Sequence, residues 1–449
     1  MERIDVAVVG GGWAGLAAAV ELGLAGRRPT IFEAAPVPGG RARGVRVALA
    51  GRNVDLDNGQ HLLIGAYREW LRIAGVVGVT RDRDLVRERM RLVGTDGLRL
   101  RAWPLPAPLH LLGALLGANG LPWPERLAAL RLMTRLRRDR WRVREGETVQ
   151  GLLERMGQPE SITARLWAPL AFAALNTPPE QACARAFAAV LRDSLGADAG
   201  ASDFVLPRRT LSQLLPEPAA RWLQNRGARL LLRTGVRGLA AENGGWRIES
   251  TRGEYFAERV VLAVPPYAAA RLLAGAATNP QHRALLRELA RFEYDSIATV
   301  YLGWSAASRI ELPRWTMLDE RAGPQAWGQW LFDRGTQDGA RIAAVVVSAR
   351  GRLSDVAAET LAAGIATQVA HQLRVPAPAD ARTIVERRAT IRCTPTRPSL
   401  HPDAFSAASA RGDSFCRLAL AGDYACPDYP ATLESAVRSG VQAARLLLR

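Results

Sequence analysis

Ile4-Asp5-Val6-Ala7-Val8-Val9-Gly10-Gly11-Gly12-Trp13-Ala14-Gly15 decides the fold. Residues 4–9 are almost wholly apolar and rich in β-branched side chains, as a buried strand requires. Three glycines follow at once. Residues 16–25 then carry a helix pattern that Gly26 ends. Pro29-Thr30-Ile31-Phe32-Glu33 reads as a second strand closing on an acid. The result is strand, helix, strand, with G-x-G-x-x-G at the first turn and the acid about 20 residues on. Gly10 permits the tight turn, Gly12 lets the backbone approach a pyrophosphate, and Gly15 lets the helix pack close to the strand. The helix start offers free N–H groups and a partial positive charge to phosphates. Glu33 is placed to accept hydrogen bonds from the ribose hydroxyls of an adenosine.

Beyond this unit, Pro38-Gly39-Gly40-Arg41-Ala42-Arg43 puts an arginine just after two glycines, within reach of the same diphosphate. Residues 54–67, Val-Asp-Leu-Asp-Asn-Gly-Gln-His-Leu-Leu-Ile-Gly-Ala-Tyr, are polar where a core segment would be apolar. That density of polar groups and glycines suggests a site; a plain polar loop is the alternative. Residues 104–200 read as mainly helical, broken by prolines at 104, 106, 108, 122 and 124. Within them an apolar stretch at 109–116 stands beside a basic one at 131–144. This pairing fits contact with a membrane surface, or equally a buried helix beside a solvated arginine face.

The C-terminal half returns to strands. Residues 230–236 and 259–264 read as strands, with a hairpin around Asn243-Gly244-Gly245. Residues 296–304, 325–332 and 342–348 read as strands of another sheet, and 354–373 as a helix capped by Ser354. Residues 398–413 read as a mobile surface loop. Leu418-Ala419-Leu420-Ala421-Gly422-Asp423 is a strand ending in Gly-Asp, and a helix is expected to open at Pro430. Asp423 suits a ribityl chain, and the helix start suits the negative charge of a reduced flavin ring.

Composition narrows the class. At 449 residues the chain is too long for one core. The formal charge is +17, and all 60 basic residues are arginine. No helix-turn-helix, RNA-recognition or zinc-finger pattern accompanies that charge, so no nucleic-acid partner is expected. Cys183, Cys393, Cys416 and Cys426 form no C-x-x-C pair, which argues against a metal site and suits a reducing cytoplasm. The early strand leaves no room for a signal peptide. No stretch reaches the length of a spanning helix.

These motifs resemble the flavin amine-oxidase and phytoene-desaturase superfamily, over roughly residues 1–70, 225–270 and 415–449. The resemblance implies an α/β architecture. A discontinuous Rossmann-like FAD-binding domain (1–103, 201–270 and 410–449) would join an α+β substrate domain (104–200 and 271–409) with a mixed sheet floor and helical cover. It implies FAD held by Gly10, Gly12, Gly15, Glu33, Gly40, Arg41, Gly59, Val236, Gly422, Asp423, Thr432 and Leu433. Residues 57–67 and 430–440 are more narrowly similar to bacterial hydroxysqualene dehydroxylases, FAD proteins of hopanoid pathways. That resemblance implies removal of the allylic hydroxyl of hydroxysqualene, with hydride from reduced flavin, to give squalene. It implies a polyprene substrate, a peripheral place on the cytoplasmic side of the inner membrane, and contact with upstream squalene-pathway enzymes.

Loss of a hydroxyl needs a proton donor, and the allylic cation gains from aromatic faces. His61 or Asp57 is expected to protonate or orient the hydroxyl, with Gln60 as a hydrogen-bond partner; a purely structural His61 is the alternative. Tyr301, Trp315, Trp327 and Trp330 are candidates to line a hydrocarbon tunnel, or equally core. The rivals are a polyprene desaturase, an amine oxidase and a non-catalytic prenyl binder. The absence of lysine weighs against the amine oxidase, many of which use a lysine near the flavin.

Overall fold

The apolar opening of the chain becomes the strand Glu2–Val9, whose Val6, Ala7 and Val8 are fully buried. A computed structural model describes residues 1–449 except 243, 278, 306, 349–355 and 408–416. The turn residue Asn243, the cap Ser354 and the boundary at 410 therefore lie outside the described residues. The first sheet runs Arg229–Leu231, Pro29–Phe32, Glu2–Val9, Gly253–Leu262, all parallel. Gly253–Leu262 is long enough to fork the sheet. Its first half pairs antiparallel with Gly245–Ser250, and its last three residues pair parallel with Leu418–Leu420. Register aligns Val9 with Phe32 and Leu262, and Leu262 with Leu420. Leu231 is level with Phe32, so five parallel strands end at one edge, the crevice where open parallel sheets hold ligands.

The helices Trp13–Leu24 and Leu433–Leu448 pack together over this sheet. A Cβ on Gly440 would stand 2.1 Å from the Ala14 carbonyl oxygen, so only glycine allows the contact. Glu434 adds a polar clamp. Its carboxylate accepts from the backbone N–H groups of Glu69 (3.1 Å) and Trp70 (2.8 Å), at the start of the helix Arg68–Val76. An acid there meets both unpaired amides and the helix dipole.

The second sheet runs Trp315–Met317, Trp330–Gln337, Ala340–Ser348, Tyr294–Trp304, Asp380–Ile391. All four pairings are antiparallel, so the mixed pairing lies in the first sheet rather than in the floor. The helix Ala358–Leu373 covers one face. On the other side the helices Leu109–Leu116, Trp123–Arg138, Val149–Arg155, Ala168–Leu175 and Ala184–Ser194 form a cover. Met90, Leu92, Leu98 and Leu100, expected in the cofactor half, share their core with this cover.

Several elements differ from the sequence reading. Residues 232–235 are not strand: Arg233 adopts φ 52°, and the Arg233 and Thr234 N–H groups donate to Ala35 and Glu33 carbonyls. The floor strand starts at Trp330 rather than 325, because the Gly328 N–H is taken by the Gln368 side chain. Helix Ala358–Leu373 is preceded by Ala357 with no side-chain cap. The helix expected at Pro430 begins at Leu433, where the Thr432 side chain accepts from the Ser435 N–H at 3.1 Å. The expected surface loop at 398–413 is pinned by Phe405, fully buried and stacked on His282 at 4.3 Å; residues 408–413 are outside the described set.

Candidate functional site

One cavity of about 890 Å³ is lined by the edge where the five parallel strands end and by residues of the helical cover. Gly10, Gly12, Glu33, Gly40, Arg41 and Val236 line it, as do Gly422, Asp423, Thr432 and Leu433. Gly59, Gln60 and His61 line it too, ahead of an apolar chamber that includes Met90, Phe187, Phe204, Trp330 and Phe332. Two of the expected site residues do not reach it. Gly15 lies beneath Gly10, where a Cβ would stand 2.0 Å from the Gly10 oxygen. Asp57 is the last residue of the strand Arg52–Asp57, and its carboxylate turns away to the Leu211 N–H (2.7 Å) and Arg334 (3.4 Å).

The phosphate end is built from backbone. Gly10 has φ 109°, and a Cβ there would meet the Ala263 oxygen at 2.3 Å. At Gly12 the nearest atom to an added Cβ is the Gly40 Cα at 3.9 Å, so this cradle is open. Gly12 is the N-cap of the helix Trp13–Leu24, with no side-chain cap and no acid in the first turn. Glu33 accepts from the Gly11 and Ala35 N–H groups, each at 2.7 Å. That fixes the carboxylate and leaves each oxygen a second lone pair. Arg41, expected to face a diphosphate, instead pairs with Asp423 at 2.7 Å and donates to the Ala389 carbonyl at 3.1 Å. A buried acid requires such a partner. The other Asp423 oxygen, Oδ1, is buried without one.

Within the cavity lining, hydrogen bonds fix the orientation of the Gln60 and His61 side chains. Gln60 donates Nε2–H to the His61 carbonyl at 3.0 Å, so the amide cannot be reversed, and Oε1 remains buried and unpartnered. His61 Nδ1 lies 2.8 Å from the Gly59 carbonyl. A carbonyl only accepts, so Nδ1 carries the proton and Nε2 of the neutral ring is an acceptor. Burial pulls the His61 pKa down, against the raising effect of that hydrogen bond. The ring is therefore neutral at pH 7 and suited to orient a hydroxyl rather than to protonate it.

Burial pushes Asp57 up to about 6, with Arg334 and the Leu211 N–H pulling the other way. Its folded pKa is raised, so the stability tied to the neutral form is present below the unfolded value of 3.8 and lost as pH rises through about 6. Asp57→Asn keeps an acceptor for Leu211 and removes this titration. The urea midpoint of the wild type is expected to fall relative to that of Asp57→Asn between about pH 4 and pH 7. Parallel midpoints across that range would show that Asp57 does not titrate there.

Sequence reasoning missed other lining groups. Tyr429 donates to Asp193 at 2.5 Å, accepts from Arg192 at 2.8 Å, and carries the Arg438 guanidinium 4.6 Å over its ring. Glu434 also lines the cavity. Of the four aromatic candidates, only Trp330 does. Tyr301 donates to the Asp57 carbonyl (2.8 Å), Trp315 to the Arg91 carbonyl (2.7 Å), and Trp327 packs on Gly364. Among the described residues no group of His, Cys, Asp and Glu could hold a metal. No described helix is long and apolar enough to cross a membrane.

Residues 13–448 match the family model for flavin containing amine oxidoreductase. The chain is 31% identical over 467 residues to the hydroxysqualene dehydroxylase of Rhodopseudomonas palustris, covering 99% of this chain and 98% of that protein. It is 29% identical over 460 residues to the hydroxysqualene dehydroxylase of Sinorhizobium fredii, with 99% and 98% covered. An oxidoreductase from Methanosarcina mazei shares the fold with a TM-score of 0.72 at 13% identity, over 98% of this chain and 100% of that one.

Proposed function

Because the chain belongs to the flavin containing amine oxidoreductase family, and is an FAD-dependent oxidoreductase, we propose that it converts hydroxysqualene to squalene by reductive loss of the allylic hydroxyl. The observation that carries this reading is one continuous cavity lined both by an open glycine cradle and by an apolar chamber, with Gln60 and His61 in the same lining. A long hydrocarbon fits the chamber, and one hydroxyl fits the acceptors.

The residues fit FAD. The Gly12 cradle takes the pyrophosphate at the helix start, and Glu33 takes the ribose. Unpartnered Asp423 Oδ1 takes a ribityl hydroxyl, with Val236, Gly59, Thr432 and Leu433 around the rest. When bound and reduced, FAD supplies hydride chemistry. The chain orients the substrate: Gln60 Oε1 or His61 Nε2 accepts its one O–H proton and fixes the C–O bond, while Phe187, Phe204 and Trp330 exclude water from the carbon left electron-poor. The departing oxygen still takes up one proton, and leaves as water. Asp57 is not its source, being turned to Arg334. The substrate is almost insoluble, so we place the enzyme peripherally on the cytoplasmic side of the inner membrane. There an upstream squalene-pathway enzyme can hand over its product.

The test is anaerobic. Reduced enzyme is mixed with hydroxysqualene, and the flavin spectrum and extracted lipid are followed together. Reoxidation with squalene appearing is expected. Folded enzyme that stays reduced, with substrate unchanged, would instead favour an oxidative desaturase, assayed with polyprenes on the oxidised protein.

A further inference from the structure

We infer that the outer face of the helical cover, from Trp103 to Leu127, is a docking surface for an anionic lipid bilayer. This deepens the peripheral-membrane part of the proposed function and rests on that reading. Large apolar side chains that stand exposed are scattered elsewhere, but six fall in this one stretch. They are Trp103 (44%), Leu105 (39%), Leu109 (46%), Leu116 (44%), Trp123 (57%) and Leu127 (45%). Isolated exposed leucines mean little, whereas a contiguous set marks an interaction site. These are contiguous. The Trp103 indole lies on the helix Leu109–Leu116, where a Cβ at Gly113 would meet it at 2.2 Å. Arg126 donates to the Leu116 carbonyl at 2.6 Å and lies 4.7 Å over the Trp123 ring.

The backbone suits the same surroundings. Pro104, Pro106, Pro108, Pro122 and Pro124 carry no N–H, so the turns present fewer donors whose burial would cost free energy. Charge then selects the lipid. On the helix Trp123–Arg138, steps of four residues carry one face from Trp123 to Leu127, Arg131 and Arg135. The apolar tip is followed by a basic collar, with Arg137 and Arg138 also exposed. Asp139 lies 3.6 Å from Arg138, and Glu125 is buried. Aromatic and aliphatic tips below arginines match the layering of an interface with anionic headgroups. A second copy of the chain would bring collar against collar, like charge on like. Inside, Leu132 and Leu136 of this helix share a core with Met90 and Leu92, which line the cavity. The bilayer side of the cover is thus one core layer from the apolar chamber.

The experiment is cosedimentation of the full FAD-loaded chain with phosphatidylcholine vesicles, with and without phosphatidylglycerol, and no substrate. Binding is expected only with phosphatidylglycerol and should weaken as salt rises. Arg131→Glu with Arg135→Glu should weaken it about tenfold or more, since each arginine near an anionic surface contributes about 1 kcal/mol. Leu109→Ser with Trp123→Ser should do likewise, while Leu24→Ser, an equally exposed leucine elsewhere, should not. Retained flavin colour shows that each variant is folded. Wild type left in the supernatant at low salt overturns the inference, as does binding indifferent to lipid charge and both double variants. So does a dimer in sedimentation velocity that the Leu109 and Trp123 changes dissociate. Vesicle binding is read without turnover, so the dehydroxylase reading can fail while this one stands, and the reverse.

Discussion

Gly12→Val should give a folded protein that does not hold FAD. Gly12 has φ −77° and ψ −177°, extended backbone that valine adopts readily. An added Cβ touches nothing closer than the Gly40 Cα at 3.9 Å, so the polypeptide has room for it. That room is the cradle itself. Methyl groups there would displace a pyrophosphate from the helix-start amides. Losing two charge-assisted hydrogen bonds of about 1.5–3 kcal/mol each weakens binding by at least about a hundredfold. Gly15→Ala should behave differently. Its Cβ would meet the Gly10 oxygen at 2.0 Å, a backbone atom, so strand and helix must separate. Thermal unfolding of the flavin-free proteins distinguishes the two. The Gly12 variant should melt with the wild type, and the Gly15 variant several degrees lower. Coloured, flavin-loaded Gly12→Val protein would show that the cradle holds something else.

His61→Ala should retain flavin and lose turnover by about a hundredfold, the effect of misplacing a reacting bond by about 1 Å. The sharper comparison is His61→Gln, which keeps a side-chain acceptor. If the neutral ring orients the hydroxyl, glutamine restores much of the rate, and wild-type turnover falls as pH drops through the depressed His61 pKa, where Nε2 gains a proton and stops accepting. If the imidazolium were the acid, glutamine would be as poor as alanine. Wild-type turnover would then rise as pH fell through the depressed His61 pKa. The first pattern is expected, because the Gly59 carbonyl holds the proton on Nδ1.

The cofactor end was legible because its physics is local. Strand, turn glycines, helix and acid lie within residues 4–33; Gly10 and Gly15 each meet a backbone oxygen, and Gly12 leaves the cradle open, as the spacing implies. The floor was harder to read. Whether neighbouring strands run parallel or antiparallel depends on partners as distant as Tyr294 and Ile391. Composition marked Tyr301, Trp315 and Trp330 equally as strand aromatics, but only the sheet shows which face each occupies. Asp57 misled for a related reason. It belongs to the same polar run as Gln60 and His61, yet it closes a strand while they lie in the loop beyond. The Tyr429–Asp193 pair joins residues 236 apart, and no local pattern announces it.

The forked central strand bears on how the protein is made. Leu418–Leu420 fills the last parallel place beside Gly253–Leu262, and Leu433–Leu448 covers the groove along Trp13–Leu24. At about 5–20 residues per second, synthesis of the chain lasts on the order of a minute. Throughout that time the first helix waits on the ribosome with Ala14 and Ala18 bare, and Gly422, Asp423 and Thr432 do not yet exist. A nascent chain can thus hold at most the adenosine end of FAD. A chain that lacks Leu433–Leu448 leaves the groove along Trp13–Leu24 uncovered, an apolar surface for chaperones and proteases to find.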